Sequence, residues 1–81
     1  MSYFIFASDA KHQTTIESNA SNEHDALADL VFELNLVKID LNSNVVSAII
    51  KTFTTKHLKN VLAMNSIAVK LNKKSDLGYL I

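Results

Sequence analysis

The stretch from residue 44 to residue 65 constrains the fold more than any other part of the sequence. Its apolar residues recur in a pair-and-gap rhythm that a helix gathers on one side and a strand would scatter over both faces. They are Val45, Val46, Ile49, Ile50, Phe53, Leu58, Val61, Leu62 and Met64. Ser43 or Asn44 is expected to cap the start, because a short side-chain oxygen accepts hydrogen bonds from first-turn amides.

Two alternatives stay open for this stretch. The apolar stripe drifts at Thr54 and Thr55, so two shorter helices or one kinked helix fit the pattern as well as one straight helix. A strand over residues 45–54 is the second alternative, since Val, Ile, Thr and Phe all favour strands. A strand would place Ile49 on the same face as Ser47 and Lys51, so the helix is preferred.

Four other segments predict strands. Residues 3–7 are aromatic and β-branched, and the more polar residues 13–18 follow a turn, which indicates a hairpin whose second strand lies nearer the edge. Residues 36–41 alternate strictly between apolar and charged and predict a half-buried strand. Residues 66–71 predict the last main strand, with Ile67, Val69 and Leu71 facing inward.

A helix is predicted between the hairpin and residue 36. Ser21 or Asn22 is expected to cap it, and Glu23 and Asp25 place negative charge at the positive end of the helix dipole. One face is apolar, and the helix is expected to fade near Asn35. The residues of that face are Ala26, Leu27, Leu30, Val31 and Leu34.

These elements predict an α+β fold in one small domain that spans residues 1–81. Their order is ββαβ(αα)β, in an antiparallel or mixed sheet with the helices packed on one face. A chain of 81 residues buries about 60–65% of its unfolded surface, which is enough for a single core. Residues 72–75 predict a polar turn. The apolar tail, residues 76–81, is expected to pair as an edge strand in its own sheet or to add a strand to another chain.

The absence of cysteine excludes a disulfide framework and a thiolate zinc site. No apolar run approaches the roughly 20 residues that span a bilayer, and the first residues lack the positive charge of a signal peptide. These features favour the cytoplasm, of a bacterium or of a host cell if the protein is phage-encoded. Lysine without arginine, together with eight Asn and seven Ile, indicates an AT-rich coding sequence of the kind found in phages and mobile elements.

No constellation of residues points to catalysis. His57 is predicted to be a half-buried histidine on the apolar side of its helix, and His12 and His24 are predicted to be solvated. The residues three and four positions after His24 are Leu27 and Ala28, which are not metal ligands. Neither a phosphate-binding glycine loop nor a nucleophile elbow is present. The prediction is therefore a protein that is not an enzyme and uses no cofactor or metal.

Charge is distributed unevenly along a chain whose net charge is zero. Residues 1–40 carry two lysines and seven acidic residues, whereas residues 41–81 carry six lysines and one acidic residue. The second half predicts a lysine-rich side that is either simply solvated or an electrostatic footprint for phosphates. Arginine, which reads guanine edges and stacks on bases, is absent. Tyr3, Phe4 and Phe6 are expected to pack in the core or to form a stacking surface on an exposed sheet.

The leading functional hypothesis is a non-catalytic protein-interaction module, a phage or mobile-element accessory that inhibits a host complex by occupying its surface. An acidic half and a basic half in one small chain are also self-complementary, which favours a homodimer. The alternative is a nucleic-acid-binding module that uses the lysine-rich half, and a small hydrolase or nuclease ranks third. The predicted partner-binding residues are Lys51, Lys56, Lys59, Lys70, Lys73, Lys74, Tyr79 and Leu80.

Overall fold

A three-stranded antiparallel sheet is the base of the structure, a computed structural model that describes residues 2–74. The strands are β1 (Tyr3–Ser8), β2 (Gln13–Ser18) and β3 (Ala68–Lys73), in the spatial order β2-β1-β3. In the middle of the sheet, Ile5 lies opposite Ile16 on one side and Leu71 on the other. The predicted hairpin is confirmed, and β2 is an edge strand as expected.

Three helices form a layer on one face of this sheet: α1 (Glu23–Glu33), α2 (Ser43–Lys51) and α3 (Thr55–Met64). Helix α1 is central, because it packs against β1 and β2 and also against both other helices. The core lies between the layers, where Ile5, Leu30, Ile50 and Leu58 are fully buried. The α+β class, the single domain and the placement of helices on one face are thereby confirmed.

Asparagine and threonine side chains define where the helices begin. Asn22 caps α1 by accepting from the amide of Asp25, as predicted. The cap of α2 is Asn42, which accepts from the Val45 amide at 3.0 Å, so the expectation of Ser43 or Asn44 was wrong. Thr54 caps a separate helix, α3, and the stretch from residue 44 to 65 is therefore two helices.

Helices α1 and α3 end in the same way, on a residue with left-handed backbone that is not glycine. Asn35 has φ 54° and Ser66 has φ 58°. After Ser66, the Ile67 amide donates to the Leu62 carbonyl at 3.0 Å, and after Asn35 the chain makes the equivalent contact. This is the Schellman arrangement, which satisfies carbonyls that the last helical turn leaves without partners.

The strand predicted over residues 36–41 is absent. These residues form an irregular connection from the end of α1 to Asn42, and Leu36, Val37 and Ile39 half-bury their side chains against the core. The alternation correctly indicates a segment with one apolar side. A strand also needs a neighbouring strand to bond to, and this segment connects α1 to α2 without pairing with the three-stranded sheet. The order is consequently ββαααβ.

The last strand starts later than predicted. The Schellman turn uses the amides of Ser66 and Ile67, so β3 begins at Ala68, and Asn72 and Lys73 belong to the strand rather than to a polar turn. The predictions for the tail fall on residues 75–81, which lie outside the described residues. None of the helices within residues 2–74 is long and apolar enough to cross a bilayer.

Candidate partner-binding surfaces

The face of the sheet opposite the helices carries two phenylalanines on its central strand. Side chains alternate along β1, so Tyr3, Ile5 and Ala7 are buried under the helices while Phe4 and Phe6 point to the other side. Residues directly opposite one another in neighbouring strands share a face. The open face, as this surface is called below, therefore consists of Phe4, Phe6, Ser8, Gln13, Thr15, Glu17, Ala68, Lys70 and Asn72.

Phe6 is the exposed aromatic of the open face. Its residue is 38% exposed, and it lies between Thr15 on β2 and Lys70 on β3. A shallow hollow of about 280 Å³ surrounds it, lined also by Ser8, Gln13 and Ala68. An aromatic ring with a polar rim is the composition typical of a protein-binding patch.

Phe4 is partly covered by a cation. The Nζ atom of Lys74 lies 5.4 Å from the centre of the Phe4 ring, within the range of a cation–π contact. The same ammonium group forms an ion pair with the Glu17 carboxylate. Within residues 2–74, Lys70 is accordingly the lysine of this face that has no acidic partner.

A second surface is an apolar groove of about 350 Å³ where α1 and α3 meet the outer strand β3. Its rim carries one acidic and one basic residue, Glu23 and Lys59. The apolar residues that line the groove are Leu27, Leu62, Ala63, Ile67, Val69 and Leu71.

The predicted lysines are divided between the two sides of the sheet. Lys70 is on the open face, and Lys74 reaches over it to Phe4. Lys73 lies opposite Tyr3 and so projects to the helix-covered side, where Lys59 lines the groove. The expectation that all six lie on one side was wrong, because side chains alternate along β3 and the helices belong to the opposite layer.

Of the remaining predicted site residues, Lys51 and Lys56 are not part of either surface. Lys51 and Lys56 are exposed on either side of the short connection between α2 and α3. Tyr79 and Leu80 lie outside the described residues. The role of these lysines and of the tail in partner binding stays a prediction.

His24 is partly buried and joins all three helices, contrary to the prediction that it is solvated. Its Nε2 atom lies 3.1 Å from the Lys51 carbonyl and its Nδ1 atom 2.7 Å from the Thr55 hydroxyl. A carbonyl only accepts, so Nε2 donates to the Lys51 carbonyl; in the tautomer that is protonated at Nε2 alone, Nδ1 accepts from Thr55. The start of α1 is thereby tied to the end of α2 and the start of α3.

The other two histidines lie at the surface. His12 is exposed in the hairpin turn, as predicted. His57 is exposed as well, so the expectation of a half-buried residue was wrong. The new helix that starts at Thr55 turns Leu58 and Leu62 inward, and His57 instead meets the Phe53 ring edge-on at 4.8 Å between ring centres.

A buried hydroxyl connects the sheet to the helical layer. Ser18 at the end of β2 is 4% exposed, and its Oγ atom donates to Asp29 of α1 at 2.6 Å. The same oxygen accepts from the Ala20 amide at 3.1 Å. These two contacts tie the end of β2 to α1 and to the segment between them.

Three further large apolar side chains are exposed. Leu41 and Val45 lie at the start of α2, and Met64 at the end of α3 is 84% exposed. Val45 and Met64 belong to the apolar stripe of residues 44–65, for which the sequence predicts one helix or two shorter ones. The chain breaks between α2 and α3, so the side chains of the second helix point in other directions than they would in one continuous helix. The spacing of the apolar residues alone does not predict this change.

Neither clustered ligands nor a relative identifies a chemistry for these surfaces. Within residues 2–74, no group of three His, Cys, Asp or Glu side chains is placed to hold a metal ion. Comparisons of the chain with protein-family models, with curated proteins and with solved structures gave no match.

Proposed function

We propose that this protein is a non-catalytic interaction module that binds another protein through the open face. The observation that carries the proposal is the exposure of Phe6 at the centre of a sheet face that the described helices leave uncovered. Large aromatic side chains are enriched at the centres of protein interfaces and supply much of their binding energy. A single helical layer leaves this ring unpacked although the opposite side chains of β1 are buried.

The charges around Phe6 favour a protein over a nucleic acid. Glu17 pairs with Lys74, so the open face offers Lys70 as its cation without an acidic partner within the described residues. A surface that binds phosphates needs several unpaired cations, because each neutralised phosphate contributes to affinity. A mixed rim of Glu17, Lys70, Thr15 and Gln13 instead suits the varied polar groups of a protein surface.

The finer proposal is that binding inhibits a host complex by occupying its surface, in the cytoplasm, with the protein encoded by a phage or mobile element. The chain's small size and lysine-only basic composition support it. We also propose that the module has no catalytic activity. A turnover that His57→Ala abolished without unfolding the protein would contradict that part.

The test compares two exposed apolar side chains. The wild-type protein, Phe6→Ser and Met64→Ser are immobilised and challenged with a bacterial lysate, and retained proteins are identified by mass spectrometry. A partner is expected to bind the wild type and Met64→Ser but not Phe6→Ser. A partner retained equally by all three, with Phe6→Ser folded by circular dichroism, would contradict the role of the open face.

Nucleic-acid binding is the second candidate, favoured by one observation: Phe6 and Lys70 lie side by side in register, as a stacking ring and a phosphate contact would. Retention on a heparin column that falls steeply with salt and is lost in Lys70→Ala would favour it. Weak retention that is insensitive to salt would remove this candidate.

A homodimer through the open face would appear as a doubled mass in light scattering that Phe6→Ser reduces to the monomer.

A further inference from the structure

The outer edge of β3 carries backbone groups without partners in the described part of the chain. The Lys74 amide donates to the Ser2 carbonyl at 2.9 Å, which makes Ser2 and Lys74 a hydrogen-bonded pair of the antiparallel ladder. Hydrogen-bonded and non-hydrogen-bonded pairs alternate along such a ladder. The N–H and C=O groups of Val69, Leu71 and Lys73 therefore point away from β1, toward the side where the sheet of residues 2–74 ends.

The same residues that offer their backbone outward also form one wall of the groove. Val69 and Leu71 lie opposite Ala7 and Ile5 and so face the helix-covered side, where Leu27 and Leu62 complete the wall. The volume of about 350 Å³ lies at the low end of the range for ligand pockets, about 300–1,000 Å³. Its open shape beside a strand edge suits a few apolar side chains that project from an extended chain.

The charges around this edge have one predominant sign. Lys70 projects from β3 on the open side, Lys73 on the covered side, and Lys59 lines the groove. Glu23 on the rim is the acidic residue among those that line it. A strand that approaches this edge is therefore attracted if it carries acidic side chains.

We infer that β3 accepts an extended peptide segment of a partner protein in which apolar and acidic residues alternate. Residues that pair with Val69 and Leu71 lie on the groove side of the extended sheet, so they are the apolar ones. Their neighbours point to the other side, toward Lys70, so they are the acidic ones. The added strand satisfies the outward backbone groups, which is recognition by β-augmentation. This site shares Lys70 with the open face but does not involve Phe6, and it goes beyond the proposed function.

The probe is a fluorescein-labelled peptide of alternating valine and glutamate, long enough to span β3, titrated with the full chain and followed by fluorescence anisotropy. Saturable binding is expected, and a peptide of alternating valine and lysine is expected to bind at least about tenfold more weakly, which corresponds to about 1.4 kcal/mol. Equal binding of the two peptides would overturn the inference.

Backbone pairing has its own control in the peptide. In an antiparallel addition, as in the rest of this sheet, the amides that donate to β3 belong to the valines, because these residues form the hydrogen-bonded pairs with Val69 and Leu71. N-methylation of the valines is expected to abolish binding, and N-methylation of the glutamates to leave it unchanged. Equal effects of the two modifications would show that the peptide does not add as a strand.

Protein variants locate the binding site. Ala63 is exposed and lines the groove, and Ala63→Glu adds bulk and negative charge there, so peptide binding is expected to be lost. Ala48→Glu makes the same change at an exposed position of α2 and serves as the matched control. Phe6→Ser is expected to bind the peptide normally, which separates this site from the open face. Equal affinities of Ala63→Glu and Ala48→Glu would overturn the assignment.

Two other occupants are distinguishable. A second copy of this chain in the groove would give a concentration-dependent dimer in light scattering that Ala63→Glu abolishes. Displacement of the labelled probe by a free peptide with the sequence of residues 77–81 would assign the groove to the chain's own C-terminal segment. Either result would overturn the assignment to a partner protein.

Discussion

The two faces of β1 differ in how much of their apolar surface is buried. Tyr3, Ile5 and Ala7 are 2%, 0% and 5% exposed, whereas Phe6, between two of them in sequence, is 38% exposed. All of these side chains are apolar, so hydrophobicity alone does not decide their burial. The difference arises because α1 covers one face of the strand and the described chain provides no second layer for the other. The covered face holds the fold together, and the open face leaves Phe6 exposed within the described residues.

The largest expected effect separates these two faces directly. Ile5→Ala removes a fully buried side chain from the core and is expected to lower the free energy of unfolding by about 2–5 kcal/mol. Phe6→Ala is expected to cost less than half as much, because its ring already meets solvent. Urea denaturation followed by circular dichroism measures both variants. Equal losses would mean that the open face is part of the core.

The next effect concerns β2, which carries a polar residue on each face. Ser18→Ala removes the hydrogen bond to the Asp29 carboxylate and is expected to cost about 1–2 kcal/mol. Thr15→Ala, on the open face of the same strand, is the control and is expected to stay within about 0.5 kcal/mol. The midpoints of urea unfolding compare them. A larger loss of unfolding free energy for Thr15→Ala than for Ser18→Ala would mean that the open face of β2 contributes more to stability than the covered face.

A smaller effect tests how the covering layer is held together. His24→Ala removes the contacts with the Lys51 carbonyl and the Thr55 hydroxyl, and a loss of about 1 kcal/mol is expected. His12→Ala at the exposed hairpin turn is the matched control and is expected to leave the thermal midpoint unchanged. If the two variants unfold at the same temperature, His24 does not connect the helices.

The smallest effect is a pH dependence at the turn between β1 and β2. The backbone amides of Lys11 and His12 donate to the Asp9 carboxylate, both at 2.7 Å, and lower its pKa from the ordinary value of 3.8. A lowered pKa means that the stabilisation is fully present above the ordinary value and is lost as the pH falls through the folded one. The wild type is expected to be slightly more stable than Asp9→Ala at neutral pH, and acid titration of the unfolding midpoints should narrow this difference.

Local chemistry in the sequence predicted much of the fold. The bounds of β2, the cap at Asn22 and the apolar face of α1 follow from side-chain alternation, capping and helical periodicity, which are properties of neighbouring residues. The strand over residues 36–41 was wrong because alternation indicates a one-sided segment but not a hydrogen-bonding neighbour. Position in the sheet is decided by distant residues, here by the pairing of β1 with β3.

The candidate surfaces were harder to predict from the sequence. The sequence leaves open whether Phe4 and Phe6 are core residues or lie on an exposed sheet face. The choice depends on which face of β1 the helix α1 covers, and this is a tertiary contact. The groove combines residues of α1 with residues of α3 and β3, which lie more than thirty positions later in the sequence. No local sequence pattern therefore predicts it. The sequence predicts a solvated His24, because its partners, Lys51 and Thr55, are far away in the sequence.

The turn at Ser66 decides which residues of β3 belong to which face. Three residues connect the end of α3 to the start of β3. The left-handed backbone conformation of Ser66 determines where the strand begins. A shift of one residue at this joint would send Lys70 under the helices and turn Val69 and Leu71 to the open side. The ending of α3 at Ser66 therefore decides which β3 side chains belong to the open face and which to the groove, and an inserted residue there would exchange these two sets.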